Sequence, residues 1–126
     1  MDTSAFLAFA NRELGAEKVR PRLREAVVSA VNATEILQKL ASKKMTLVRA
    51  EEYLNRLVNE IIVFDLEQAA ITAALLTQTQ PFGLSLGDRA CLALGIHLDL
   101  PIMTADRVWA KLDIGVSIEV IRGSPS

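Results

Sequence analysis

Four short apolar runs, each flanked by longer stretches with helical spacing, constrain this chain more than any other feature. They are "AVVS" (26–29), "IIVF" (61–64), "LPIMT" (100–104) and "VSIEVI" (116–121). The first three are rich in β-branched or bulky aliphatic side chains and are too short for helices, so they read as buried strands. Residues between them carry apolar positions at helical spacing, as in "AVNATEILQKLAS", where Val31, Ile36, Leu37 and Leu40 form one stripe. Strand, helix, strand, helix requires crossover connections and a mostly parallel sheet with helices on both faces. The expected fold is therefore an α/β three-layer sandwich, with "VSIEVI" at an edge.

Punctuation along the chain sets the expected helices. Ser4 is the expected cap of a helix over "AFLAFANREL", with Gly15 as its stop, and "AEKVRPRLRE" follows as a second helix that tolerates Pro21 near its start. Ser29 and Thr46 open the next two. Asp65 pairs with Gln68 to start "LEQAAITAALLTQT", and Ser85 with Asp88 forms a capping box before "CLALG". "DRVWAKL" adds a short helical turn. Residues 1–122 make one expected domain and 123–126 a frayed tail.

Composition closes off several function classes. Half of the 126 residues are hydrophobic (51%) and 23% are charged, which excludes a disordered tail. No apolar run reaches the roughly 18 residues that cross a bilayer, and the first residues, "MDTSAFLAF", carry an acid and no early base, unlike a secretory signal. The single cysteine, Cys91, sits among Leu and Ala and reads as a small core residue, so neither a disulfide framework nor a thiolate zinc site is available. A cytoplasmic protein is expected. The lone His97, near the end of its helix, reads as a packing or surface residue.

Four acids stand where a parallel sheet gathers chemistry, at the carboxyl ends of strands and the starts of helices. Asp2 precedes the first helix; Glu35 lies in the helix after "AVVS"; Asp88 is in the first turn after Ser85; Asp106 follows "PIMT". Each has a structural explanation of its own, as a cap or a surface residue. Together, converging carboxylates repel one another and destabilise a fold unless a cation neutralises them. An oxygen-only set suits Mg²⁺ or Mn²⁺, with Asp2, Asp88 and Asp106 as the expected metal ligands.

In order and spacing, "DTSAFLAF", "GAEKV", "AVVSAVNATEIL", "GLSLGDRACLALG", "LPIMTADRVWAKL" and "SIEVIR" resemble PIN-domain ribonucleases, in particular the VapC-like toxins of bacterial toxin–antitoxin pairs. The resemblance spans nearly the whole chain. It implies a metal-dependent endoribonuclease that cleaves RNA phosphodiesters with metal-activated water, forms a homodimer and is blocked by a cognate antitoxin. It places Asp2, Glu35, Asp88 and Asp106 in the family's acidic cluster. Ser4 and Thr104 match positions that orient acids or water, and Asn32 matches the polar residue one turn before the helix acid. With the acids covered by a cation the rest of the chain is modestly positive, and Lys43 and Lys44 are the expected RNA contacts.

One departure stands out. Family members carry four or five apolar residues ahead of the first acid, and here Met1 directly precedes Asp2. The expected consequence is a truncated first strand, explained by a start upstream, by an impaired protein, or by a partner that completes the sheet; the first is favoured. The alternative function is a catalytically impaired PIN-like module that binds antitoxin or RNA. A dehalogenase-type phosphatase is disfavoured because "DTS" lacks the second acid of an Asp-x-Asp pair, and a receiver domain because "LPIMTADRV" lacks the expected lysine and phospho-accepting aspartate.

Overall fold

The computed structural model describes residues 1–42 and 45–122; Lys43, Lys44 and the 123–126 tail lie outside that range. Helices α1 (Thr3–Ala10) and α2 (Ala16–Val19) lead through a 3₁₀ turn (Arg20–Glu25) to strand β1 (Val27–Ser29). Then come α3 (Ala30–Ala41), α4 (Leu47–Leu57), β2 (Glu60–Ile62), α5 (Leu66–Ala74) and α6 (Leu76–Thr79). After a second 3₁₀ turn, α7 (Leu86–Leu98), β3 (Ile102–Thr104), a third 3₁₀ turn (Arg107–Lys111) and β4 (Ile118–Val120) finish the chain.

The expected alternation holds, and all strand pairing is parallel. β1 pairs with β2 in the register Val28↔Ile61, and β3 with β4 in the register Met103↔Glu119. The sheet is not continuous: two two-stranded sheets stand side by side. Between them lies the end of the chain. The amino group of Met1 donates to Val27 O of β1 at 2.9 Å, and Asp2 N donates to Met103 O of β3 at 2.9 Å. The first two residues thus bridge the sheets at one end only. Beyond them a slot of about 330 Å³ opens, walled by Val27, Cys91, Leu94, Ile102 and Met103.

Capping explains where most helices begin. Ser29 Oγ accepts from Val31 N at 3.2 Å, Thr46 Oγ1 from Arg49 N at 3.1 Å and Asp65 Oδ1 from Gln68 N at 3.0 Å. Each satisfies a backbone donor that the first helical turn leaves free. Gln68 does not return the bond to Asp65; its side-chain amide donates to Val63 O instead. Four expectations need correction. Ser4 is not a cap, because α1 already begins at Thr3 with Asp2 at the capping position. Gly15 does not stop that helix, which ends at Ala10; it starts α2 at φ 95°, with Ile121 O only 2.8 Å from where a Cβ would stand. The second helix is broken, α2 passing into a 3₁₀ turn at Arg20–Pro21, where the proline has no N–H to continue an α-helical ladder. The "LEQAAITAALLTQT" segment is likewise divided, between α5 and α6.

Two apolar clusters hold the layers. One joins α1, α3 and α4 around Phe6, Val28, Ile36 and Leu54, with Tyr53 edge-on to Phe6 at 6.1 Å. The other packs α7 against β3 through Leu92, Ala93, Ile102 and Trp109. α4 shows why a polar sequence still makes a helix here. Only Ala50 and Leu54 are fully buried, while Arg49, Glu51, Glu52 and Arg56 stay in water.

Candidate metal-binding pit

The site lies at the carboxyl ends of β1 and β3, where α1, α3 and α7 meet. Asp2, Glu35 and Asp88 line a single open pit of about 360 Å³ together with Thr3, Ser4, Leu7, Gln38 and Lys39. Residues from chain positions 2, 35 and 88 are therefore brought together as expected.

Asp2 is buried, at 3% exposure. Its backbone carbonyl starts α1 by accepting from Ala5 N and Phe6 N, and its side chain makes no capping bond, so the carboxylate is left for the site. Ser4 Oγ donates to Asp2 Oδ2 at 2.6 Å and Thr104 Oγ1 to the same oxygen at 2.9 Å. The two hydroxyls lie 3.2 Å apart, and each also accepts a backbone donor: Ala105 N on Ser4 at 2.9 Å, Asp106 N on Thr104 at 3.1 Å. Ser4 and Thr104 thus hold one oxygen of the acid in place. Burial pushes the Asp2 carboxyl above its ordinary range; the two hydroxyl bonds oppose that, and the charge of Asp88 adds to it.

Asp88 lines the pit and also caps α7. Ser85 Oγ accepts from Asp88 N at 3.2 Å while Asp88 Oδ2 accepts from Ser85 N at 2.9 Å, a reciprocal capping box that pins the carboxylate at the start of α7. Its carboxyl is also held above the usual range, first by partial burial, against the two Ser85 bonds, and then by the charges of Glu35 and Asp106.

Glu35 is gripped on one oxygen. Thr3 Oγ1 donates to Oε1 at 2.7 Å and Asn32 Nδ2 donates to it at 3.1 Å. The same Asn32 amide donates to Gly87 O at 3.0 Å, so a fully buried asparagine ties α3 to α7. Thr3 and Gly87 were not among the expected site residues. Thr3 had no signal beyond its place in "DTS". Gly87 had one: glycine inside a helix costs about 1 kcal/mol against alanine, which points to a close approach.

Asp106 is the outlier. It is exposed, does not line the pit, and accepts from Val108 N at 3.0 Å as the cap of the third 3₁₀ turn. It lies near enough to Asp88 to raise that carboxyl, so it stands at the rim. Arg89 turns away from the acids and donates to Thr72 O at 3.0 Å, fastening α7 to α5. His97 sits 3.7 Å from Glu67 at the far end of α7, which leaves it outside the site.

Oxygen donors, mutual repulsion and the lack of an ion pair on any of the four acids among the described residues match the needs of a hard divalent cation. Among those residues no three acid, histidine or cysteine side chains stand close enough to hold an ion directly between them.

Comparison with known proteins agrees with the geometry. The PIN domain family model matches residues 1–115. A toxin–antitoxin complex from Klebsiella pneumoniae superposes with a TM-score of 0.74 at 19% identity, covering 95% of this chain and 94% of that one. A DNA-bound VapBC structure from Salmonella typhimurium does so with a TM-score of 0.69 at 19% identity, covering 95% of each chain. No curated protein matches in sequence. The chain belongs to the PIN domain family.

Proposed function

We propose that this PIN domain is a Mg²⁺- or Mn²⁺-dependent endoribonuclease, the toxin of a toxin–antitoxin pair. The observation that carries the reading is the pit itself, which gathers three carboxylates, two of them held above their normal range, with no ion pair on any of the three among the described residues. A fold that only needed stability would not accumulate such charges unneutralised.

In this reading Asp2 and Asp88, which line the pit, would hold the ion, with Asp106 near Asp88 at the rim. When bound, a divalent cation supplies an acidified water nucleophile and charge stabilisation on the phosphate oxygens. The protein's own part is orientation. Ser4 and Thr104 occupy one oxygen of Asp2 and fix its plane. The capping box does the same for Asp88, and Thr3 with Asn32 for Glu35. Lys39 lies on the pit's lining and supplies positive charge beside an entering phosphodiester.

The PIN assignment and the toxin–antitoxin complexes among the structural neighbours support a partner antitoxin, and the family resemblance supports a homodimer. No described helix is long and apolar enough to cross a membrane, and a cytoplasmic location is part of the proposal. A second reading, a module that binds antitoxin or RNA without cutting, is favoured by one observation: Asp106 is committed to Val108 N.

Cleavage of a labelled structured RNA, with Mg²⁺ or Mn²⁺ and with EDTA, separates the two. Metal-dependent cutting by the wild type that disappears in Asp88→Asn supports the nuclease. Metal-independent RNA binding without cleavage by folded protein selects the module.

A further inference from the structure

We propose that Gly87 is a positioning residue for Glu35: the bare backbone at the start of α7 is the seat that sets where this carboxylate stands in the pit. The inference rests on the reading of the pit as a divalent-cation site, and on a close approach that nothing else in the helix requires. Gly87 is buried and is not among the glycines of positive φ, so its backbone conformation is open to any residue. What excludes a side chain is Glu35. A Cβ at position 87 would stand 2.7 Å from both Cδ and Oε1 of Glu35, and closer still to Oε2. Non-bonded carbons and oxygens do not approach so near, so the carboxylate would have to leave.

Leaving is costly because the carboxylate is held from the other side. Thr3 Oγ1 and Asn32 Nδ2 both donate to Oε1, and the Asn32 amide is itself fixed on Gly87 O. Glu35 is thus clamped between two donors and one glycine, and the three contacts come from α1, α3 and α7. Displacing it breaks a partly buried network rather than moving the end of a free side chain. Gly95, on the same helix, is the internal contrast. A Cβ there would meet the Ile102 side chain at 2.5–2.6 Å, an apolar neighbour rather than a carboxylate.

The test is a size exchange. Gly87→Ala adds the missing Cβ; Glu35→Asp withdraws the carboxylate by one methylene; the double variant does both. Mn²⁺ affinity is measured by calorimetry without RNA, and the Asn32 side-chain amide resonances are followed by NMR without metal. Gly87→Ala is expected to move the Asn32 signals and weaken Mn²⁺ binding about tenfold or more, the usual loss when an orienting partner of a metal site is removed. The double variant is expected to bind more tightly than Gly87→Ala, a non-additive result that plain helix damage cannot produce. Unmoved Asn32 signals in Gly87→Ala, or losses that simply add, would overturn the proposal. If Gly87→Ala does not fold, recovery of the fold in the double variant supports the clash, and failure of both overturns it. Absence of Mn²⁺ binding by the wild type, with Asn32 signals that shift and are restored as described, keeps the positioning role and overturns the cation-site reading.

Discussion

Helix α7 walls two hollows of similar size and opposite chemistry. The pit, about 360 Å³, is lined by Asp2, Glu35 and Asp88, and their oxygens are held by Thr3, Ser4, Asn32 and Thr104. The slot, about 330 Å³, is lined mainly by apolar side chains such as Val27, Cys91, Leu94 and Ile102, with Arg22, Glu25 and Glu119 also in its lining, and Met1 and Asp2 bond to the facing strands β1 and β3. One hollow concentrates charge that the fold would be more stable without; the other leaves apolar packing unmade. The difference teaches that stability and function are strained in separate places along the same helix. Perturbing one end should leave the other unaffected.

The largest expected effect is at the pit. Asp88→Asn should reduce RNA cleavage by at least about 100-fold, since a direct ligand matters no less than the outer partners whose loss costs 10–100-fold. The fold should survive, because asparagine can still accept from Ser85 N. Equal cleavage by wild type and variant would break the assignment of the pit as the catalytic hollow.

Next comes the cation itself. At 100 times its dissociation constant, Mn²⁺ should stabilise the wild type by about 2.7 kcal/mol through linkage. Thermal melts of Asp88→Asn at the same concentration should show much less. A matching gain in both proteins would place the ion outside the pit.

At the slot, Gly95→Ala forces a methyl against Ile102. Overpacking of that kind costs about 1–3 kcal/mol, and alanine's better helix propensity returns about 1 kcal/mol. Urea titration should therefore show a net loss of up to about 2 kcal/mol, with Mn²⁺ affinity unchanged. A loss of affinity would mean the two hollows are coupled through α7.

pH sharpens the same contrast. The folded Asp88 carboxyl is raised from 3.8, so its contribution to stability is fully present below that value and is lost as pH rises through the higher folded value. The charged form is then a net cost near neutrality. Metal-free Asp88→Asn should melt above the wild type at pH 7, and the gap should close below pH 3.8. At the slot the same effect of burial acts on a thiol. Burial pushes the Cys91 thiol up to about 12, so alkylation by iodoacetamide should be slow at pH 8 and accelerate only toward strongly basic pH. Rapid labelling at pH 8 would show that the slot opens to water more widely than its walls indicate.

Much of this was legible in the chain because it is local. Ser29, Thr46, Asp65 and Ser85 each precede a helix by one residue and cap it with a bond spanning two or three positions. Local bonds are readable because no chain closure is needed to form them. The misread elements were those in which a distant contact overrode the local signal. Ser4 carries the residue type of a cap but is taken by Asp2, Thr104 and Ala105. Gly15 looks like a stop and instead lets Ile121 come close.

The amino-acid sequence by itself determined the alternation of strands and helices, the capping box at Ser85 and Asp88, and the identity of the acids. Those follow from periodicity and from hydrogen bonds within a turn. Only the tertiary structure decided which acids stand together. It set Asp2 under Thr104, a bond across 102 residues, and laid Asn32 on Gly87 across 55. It left Asp106 at the rim as a cap. A carboxylate's charge is a property of the residue, but the cost of that charge depends on burial and neighbours, and those exist only once the chain has closed on itself.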